Sequence, residues 1–207
     1  MAYKPILNED IKVRVPAGAA LPLTDEPTTA DAAYKVYQIT DPEKRVLDPK
    51  EPIIVQVNGS PVSSGYKLDR LAGKVIFDAA RDPGDTVTVS GKYIPMVDAA
   101  QAYQFSLGSQ VLSVEDTVFG KKWVSRKVIM RDHTASLAQW HVVNQDMMDE
   151  FQSDNIKVLE IRLGAGKYLM WAVHMTDEIS GQQTNLQSET LQLQGTQDAD
   201  GRVISRG

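Results

Sequence analysis

The sequence predicts a mainly β protein: a β-sandwich or barrel-type fold with one short α-helix packed on the sheet, and long loops or arms. Three observations carry that expectation. Segments in which polar and apolar residues alternate recur along the chain. Between them, 10 Pro and 14 Gly are spread as turn punctuation. One stretch of helical period, NQDMMDEFQSDN at 144–155, stands between strands on either side. With 207 residues the chain can bury a core without staples, and with no Cys it forms no disulfide. Its 22 basic and 27 acidic residues leave a formal charge of -5, which argues against a broad basic face that grips phosphates. No apolar run approaches the roughly 20 residues that span a bilayer, and the N-terminus is not charged-then-apolar, so the expectation is an untargeted cytoplasmic product with no membrane partner.

Two units are expected: an N-terminal arm and β-hairpin region over 1–94, and a sandwich core over 95–207 with a helix at about 144–154. IKVRV (11–15) alternates as a half-buried strand does, and Pro16, Gly18 and Pro22 stop it. Residues 16–33, rich in Ala, Pro, Thr and acids, read as an exposed loop or arm that orders against a partner. YKVYQITD (34–41) is β-rich. In IIVQVNGSPV (53–62), Asn58-Gly59 supplies the positive φ angles of a tight hairpin. YKLDRLAGKVIFD (66–78) and DTVTVSGKYIP (85–95) extend a meander split by a turn at Asp82-Pro83-Gly84-Asp85, giving three or four strands over 50–95.

Over 97–110 helical and strand periods compete, and strand is favoured from Ala102 onward. WVSRKVIMRD (123–132) has neither face cleanly apolar, which suits a strand contacted from both sides. The stretch 137–195 organises the rest: strand, helix, then three strands. Asn144 is a plausible N-cap and Met147, Met148 and Phe151 form the stripe that packs the helix on the sheet. The Gly164-Ala165-Gly166-Lys167 reversal joins IRL to YLMWAV. It lacks the spacing and the Ser or Thr of a phosphate loop. QSETLQLQ (187–194) alternates Leu with Gln, Ser and Thr, and Asp200-Gly201 suggests a last hairpin.

Chemistry is sparse. His133, His141 and His174 have no ligand spacing, no Gly-x-Ser-x-Gly elbow occurs, and Asp146, Asp149 and Glu150 read as a solvated helix face. Neither an enzyme nor a metal or cofactor site is expected. Trp123, Trp140, Trp171 and seven Tyr could stack on sugar faces, which keeps a carbohydrate-binding β-sandwich open as the reading from another class.

The strand-helix-strand order followed by GKYLMWAVHMTDEISGQQTNLQSETLQLQGTQDADGRV (166–203) resembles the tail tube proteins of long-tailed bacteriophages. The resemblance is firmer over 95–207 than over 1–94. It implies a non-enzymatic virion protein of siphovirus-like type, made in the host cytoplasm, that closes into rings, six-membered in the family. The rings stack into a tube through which DNA passes without specific binding. Partners implied are further copies of the chain, the tape measure, the terminator and the baseplate; a tail terminator or head-tail joining ring is the neighbouring alternative. Acids on the lumen would repel phosphates. Candidates for lumen or inter-subunit positions are Glu115, Asp116, Glu160, Asp177, Glu178, Glu189 and Gln192. The 16–33 arm, the 113–122 loop and the tail from Gly195 are the expected stacking elements.

Overall fold

The computed structural model describes residues 11–98, 102–115, 126–140, 156–163, 166–180 and 188–206. Among these the protein is β throughout apart from a 3-10 turn at Pro42–Lys44. The helix expected at about 144–154, with Met147, Met148 and Phe151, lies outside the described residues, as do Asp116 and the Gly164-Ala165 pair.

The strands are β1 (Ile11–Pro16), β2 (Leu21–Ala30), β3 (Val36–Ile39), β4 (Ile54–Val57), β5 (Ser60–Val62), β6 (Tyr66–Asp69), β7 (Lys74–Phe77) and β8 (Val87–Tyr93), then β9 (Met96–Asp98), β10 (Ala102–Glu115), β11 (Arg126–Trp140), β12 (Lys157–Leu163), β13 (Gly166–Ser180), β14 (Ser188–Gly195) and β15 (Ile204–Arg206). They form two antiparallel sheets. One has the order β5-β4-β8-β2-β3-β7-β6; the other runs β10-β11-β14-β13-β12-β1-β9, with β15 also on β13. Ile11–Pro16, expected in the N-terminal unit, is a strand of the second sheet, paired with β12 and β9. The seven-stranded module is therefore spliced between two adjacent strands, and the Ala17 amide donates to the Pro95 carbonyl at 2.8 Å at its base.

The turns explain the module. Asn58 (φ 52°) and Gly59 (φ 76°) close a two-residue loop between paired Val57 and Ser60, as their dipeptide demands. The Asp85 amide donates to the Asp82 carbonyl at 3.0 Å across Pro83-Gly84. The stretch 66–78 is two strands rather than one. Its reversal at 70–73 ends on Gly73 at φ 60°, where an added Cβ would lie 2.6 Å from the Arg45 carbonyl oxygen. Residues 50–95 thus hold five strands, one more than the upper expectation.

The segment 16–33 is no arm. Leu21–Ala30 is a strand that pairs β8 through residues 21–27 and then β3 through residues 28–30, with a bulge between Leu23 and Glu26. Because it changes partner midway, Pro22 and Pro27 each need only one paired edge, which proline tolerates. Leu23 joins Tyr37, Ile39, Val55, Phe77 and Val89 in the module core.

In the eight-stranded sheet alternation sorts the faces. Val15, Leu137, Leu159, Ile161, Leu191 and Leu193 share an apolar core face; each such side chain withdrawn from water contributes about 1.5–3 kcal/mol. On the opposite face Val158, Leu169 and Trp171 pack against Val46, Leu71 and Ile94 of the module, so the middle of this sheet is buried on both sides. The 196–206 segment bolts the two sheets together. Asp69 accepts from Arg202 Nη1 (2.9 Å) and Ser205 Oγ (2.8 Å), Arg70 Nε meets Asp200 Oδ2 at 2.5 Å, and buried Asp198 accepts from Trp171 Nε1 at 3.1 Å. The expected turn at Asp200-Gly201 exists, with the Gly201 amide donating to the Asp198 carbonyl at 3.0 Å. It does not make a hairpin of β14 and β15: both lie on β13, which pairs β14 from Ala172 onward and β15 at Tyr168–Met170.

Candidate assembly face

Beyond the module, the same opposite face of the eight-stranded sheet continues across β10, β11, β14 and the far half of β13. Strand register aligns its residues in rows. Ser106 pairs Ser136, Ser136 pairs Gln192 and Gln192 pairs Thr176. On one side of that row run Gln104, Ala138, Thr190 and Glu178; on the other, Gly108, Thr134, Gln194 and Val173. Opposite partners in antiparallel strands share a face, so these rows form one surface. Ser106, Thr176, Glu178 and Gln192 are exposed. The Ser106 and Ser136 hydroxyls are hydrogen-bonded at 2.7 Å, and Gln194 Nε2 donates to Asp132 at 3.1 Å. The rows carry hydroxyls, amides and, with Asp132 beside Gln194, two carboxylates; they hold no Lys or Arg.

Chain alternation makes this surface. In β14, Leu191 and Leu193 are buried and Gln192 between them is exposed, so one strand feeds the core and the polar rows at once. At the bulge in β13, exposed Met175 lets the register slip between His174 and Thr176. One border of the sheet is the outer edge of β10, fourteen residues long and with no strand paired to it among the described residues. Past the last partner of β14 at Thr134, β10 and β11 pair only with each other, through Ser109↔His133 to Glu115↔Arg126. Both sides of this ribbon are open: Val111 is 53% exposed and Gln110, Lys127 and Arg131 are exposed.

The expected lumen or inter-subunit residues are distributed unequally. Gln192 and Glu178 lie on the polar rows. Asp177 stands in register with Leu191, Glu189 with Gln139 and Ile179, and Glu115 with Arg126 at the ribbon end. Glu160 is a correction: it is 2% exposed, 3.6 Å from Arg14 Nη1 and 2.6 Å from Arg162 Nε. Arg14 also engages Glu43 of the module, Asp98 at 3.3 Å and the Met96 carbonyl at 2.8 Å. The hydrogen bond to Glu160 raises the Arg162 pKa above its ordinary value. A carboxylate so enclosed serves the junction of the sheets, not a channel wall. Ser106, Ser136, Thr176 and Asp132 were missed in the sequence, although the Gln104-Phe105-Ser106-Leu107 alternation carried a signal for the first.

No family model matches the sequence, and no curated protein matches it. Among solved structures, the chain is similar to one from the tail of an empty gene transfer agent particle refined with C6 helical symmetry, at TM-score 0.44 and 11% identity over 54% of this chain and 85% of that one. It is also similar to one from the virion of a native gene transfer agent particle, at TM-score 0.43 and 10% identity over 54% of this chain and 88% of that one. Likenesses this shallow leave the functional reading to the geometry. Among the described residues no group of three or more His, Asp or Glu is placed to hold a metal. Trp171, one of the aromatics considered for sugar stacking, is fully buried with its indole N–H on Asp198. Trp123 lies outside the described residues.

Proposed function

We propose that the protein is a structural subunit of a phage-type tail, one that closes into rings and stacks into the tube. The observation that carries this reading is the polar, base-free face bordered by the fourteen-residue edge of β10, on which no strand pairs among the described residues. A long bare edge is a liability in a monomer, because its N–H and C=O groups template pairing with any passing strand. Closing it against another copy satisfies those groups, and cyclic symmetry repeats one such joint around a ring. Repetition of the polar rows then lines a wall with hydroxyls, amides and the carboxylates of Glu178 and Asp132. Such a wall hydrates well and repels a polyphosphate instead of holding it.

The two-stranded ribbon from Ser109 to Glu115 and Arg126 to His133 gains stability in the same assembly, since an isolated ribbon is marginal in water. It takes over the stacking role that the sequence assigned to the 16–33 segment, which is spent inside the module. Glu115, Asp116, Asp177 and Glu189 remain candidates at joints between copies, and the segment with Met147, Met148 and Phe151 is assigned to bracing the sheet. Tape measure, terminator and baseplate proteins are the further partners of such a tube, and the assembled virion tail is its location.

The test is electron microscopy of the purified protein across rising concentration and crowding, beside Val111→Lys on the bare strand. The native chain is expected to give rings and tubes, and the variant to remain a folded monomer. Rings that never elongate would assign the chain to a terminator or joining ring. Monodisperse native monomer under every condition would overturn the proposal.

A further inference from the structure

We propose that the cleft beside β6 is a docking groove for an extended peptide of alternating apolar and acidic residues, received as an added strand. The cleft has a volume of about 710 Å³ and is lined by Ile53, Tyr66, Lys67, Leu68 and Arg70 of the module and by Arg202 of the C-terminal segment. Its position relative to the sheet is what points to a strand. β6 ends the seven-stranded order, and no described strand pairs with its outer edge. Three consecutive β6 residues line the cleft, so it runs along that edge. The opposite border, β5, is blunted by being three residues long and containing Pro61. β6 contains no proline.

The side chains specify the peptide. In β6, Leu68 is 7% exposed and lies in the module core, with Tyr66 packed against that core, whereas Lys67 between them points to solvent. A strand laid beside β6 takes the same alternation, placing every second side chain against Tyr66, Leu68 and Ile53 and the others beside Lys67. Electrostatics select the second set. The two arginines of the lining already hold carboxylates, Arg70 with Asp200 and Arg202 with Asp69, so the exposed ammonium of Lys67 is the charge that the cleft offers to a ligand. Arg70 is fixed by Asp200 and by the Asp48 and Glu51 carbonyls, so this wall of the cleft is rigid before a ligand arrives. Acidic positions in the peptide thus meet the Lys67 ammonium, while basic ones are repelled by it.

This groove is independent of the tube reading, because it lies on the module and not on the polar rows. Fluorescence anisotropy of the full chain with a labelled Val-Glu-Val-Asp-Val-Glu-Val peptide tests it, with a Lys-for-acid counterpart as control. The expected result is saturable binding of the acidic peptide alone. It should weaken about tenfold with Lys67→Glu, the loss of one well-placed charge contact, while that variant's melting curve is unchanged. Amide exchange should slow at Tyr66–Asp69 when the peptide is bound. Equal binding of the basic peptide, an unaffected Lys67→Glu variant or no saturable binding would overturn the proposal. So would full competition by polygalacturonate, which would make the groove a site for acidic glycans.

Discussion

Leu191 lies directly across from Leu137 in the β11–β14 pair, and neither retains any solvent exposure. Their chain neighbours Gln192 and Ser136 are likewise partners, but on the other face of the sheet. Leu191→Asp places a carboxylate where the core has no partner for it, at a cost comparable with the roughly 5–15 kcal/mol that holds a domain together. Circular dichroism at 25 °C should show an unfolded or aggregated chain.

Gln192→Asp alters only the exposed partner. Its melting temperature should stay within a few degrees of the native protein, since surface changes usually move stability by less than about 0.5 kcal/mol. Ring formation, read by sedimentation velocity, should be impaired, because closure brings the new carboxylates of neighbouring copies onto one wall. Normal folding and assembly in both variants would show that this strand has been assigned to the wrong faces.

That alternation was legible in the sequence, as were the Asn58-Gly59 hairpin, the turn at Asp82–Asp85 and the start of a strand at Ala102. Each is a local matter of side-chain period or turn chemistry. What stayed hidden depends on partners far along the chain. The 16–33 segment looked like an arm because Pro22, Pro27 and its small residues are poor strand formers; it is a strand because β8 and β3 each take half of it. Glu160 looked like a surface acid because Arg14, its buried partner, lies in β1. The turn inside 66–78 was signalled only by Gly73, whose role is set by the backbone at Arg45.

Gly73→Ala tests that approach. The added methyl meets backbone, which cannot swing aside, at a φ that L residues seldom adopt. A loss of about 2–4 kcal/mol is expected from urea denaturation, far above the cost of glycine-to-alanine changes in open loops such as Gly84.

The clamp between the sheets gives a further test. Asp69→Ala removes the acceptor shared by Arg202, Ser205 and the Ala72 amide. Breaking a buried pair costs about 3–5 kcal/mol when both partners are enclosed, and Arg202 retains some exposure, so about 2–4 kcal/mol is expected. Both sheets should melt at a lower temperature, together.

Lys167 supplies a pH signature. It is half-buried, and desolvation holds its pKa below the ordinary lysine value, with Arg45, Arg162 and Lys74 reinforcing the effect and Glu160 opposing it. Between the folded and unfolded pKa values the unfolded chain binds the extra proton, so this group makes stability rise with pH through that window. Lys167→Met should therefore raise the melting temperature at neutral pH, and its advantage should shrink as the pH climbs toward the ordinary lysine range. A constant advantage across that range would assign the effect to packing alone.

The splice between β1 and β9 also sets an order of events during synthesis. β1 leaves the ribosome first, yet one of its partners, β12, begins at Lys157, so Val13 waits for Ile161 until most of the chain exists. The module between them closes through shorter loops and needs nothing beyond Tyr93 to complete its own sheet. Translation therefore delivers a folded module whose flanking β1 has β9 on one edge and an open edge awaiting β12, with the remaining sheet still to come. Any variant that slows the module will prolong that exposed state, and its first symptom should be aggregation in the producing cell before any change in the finished protein.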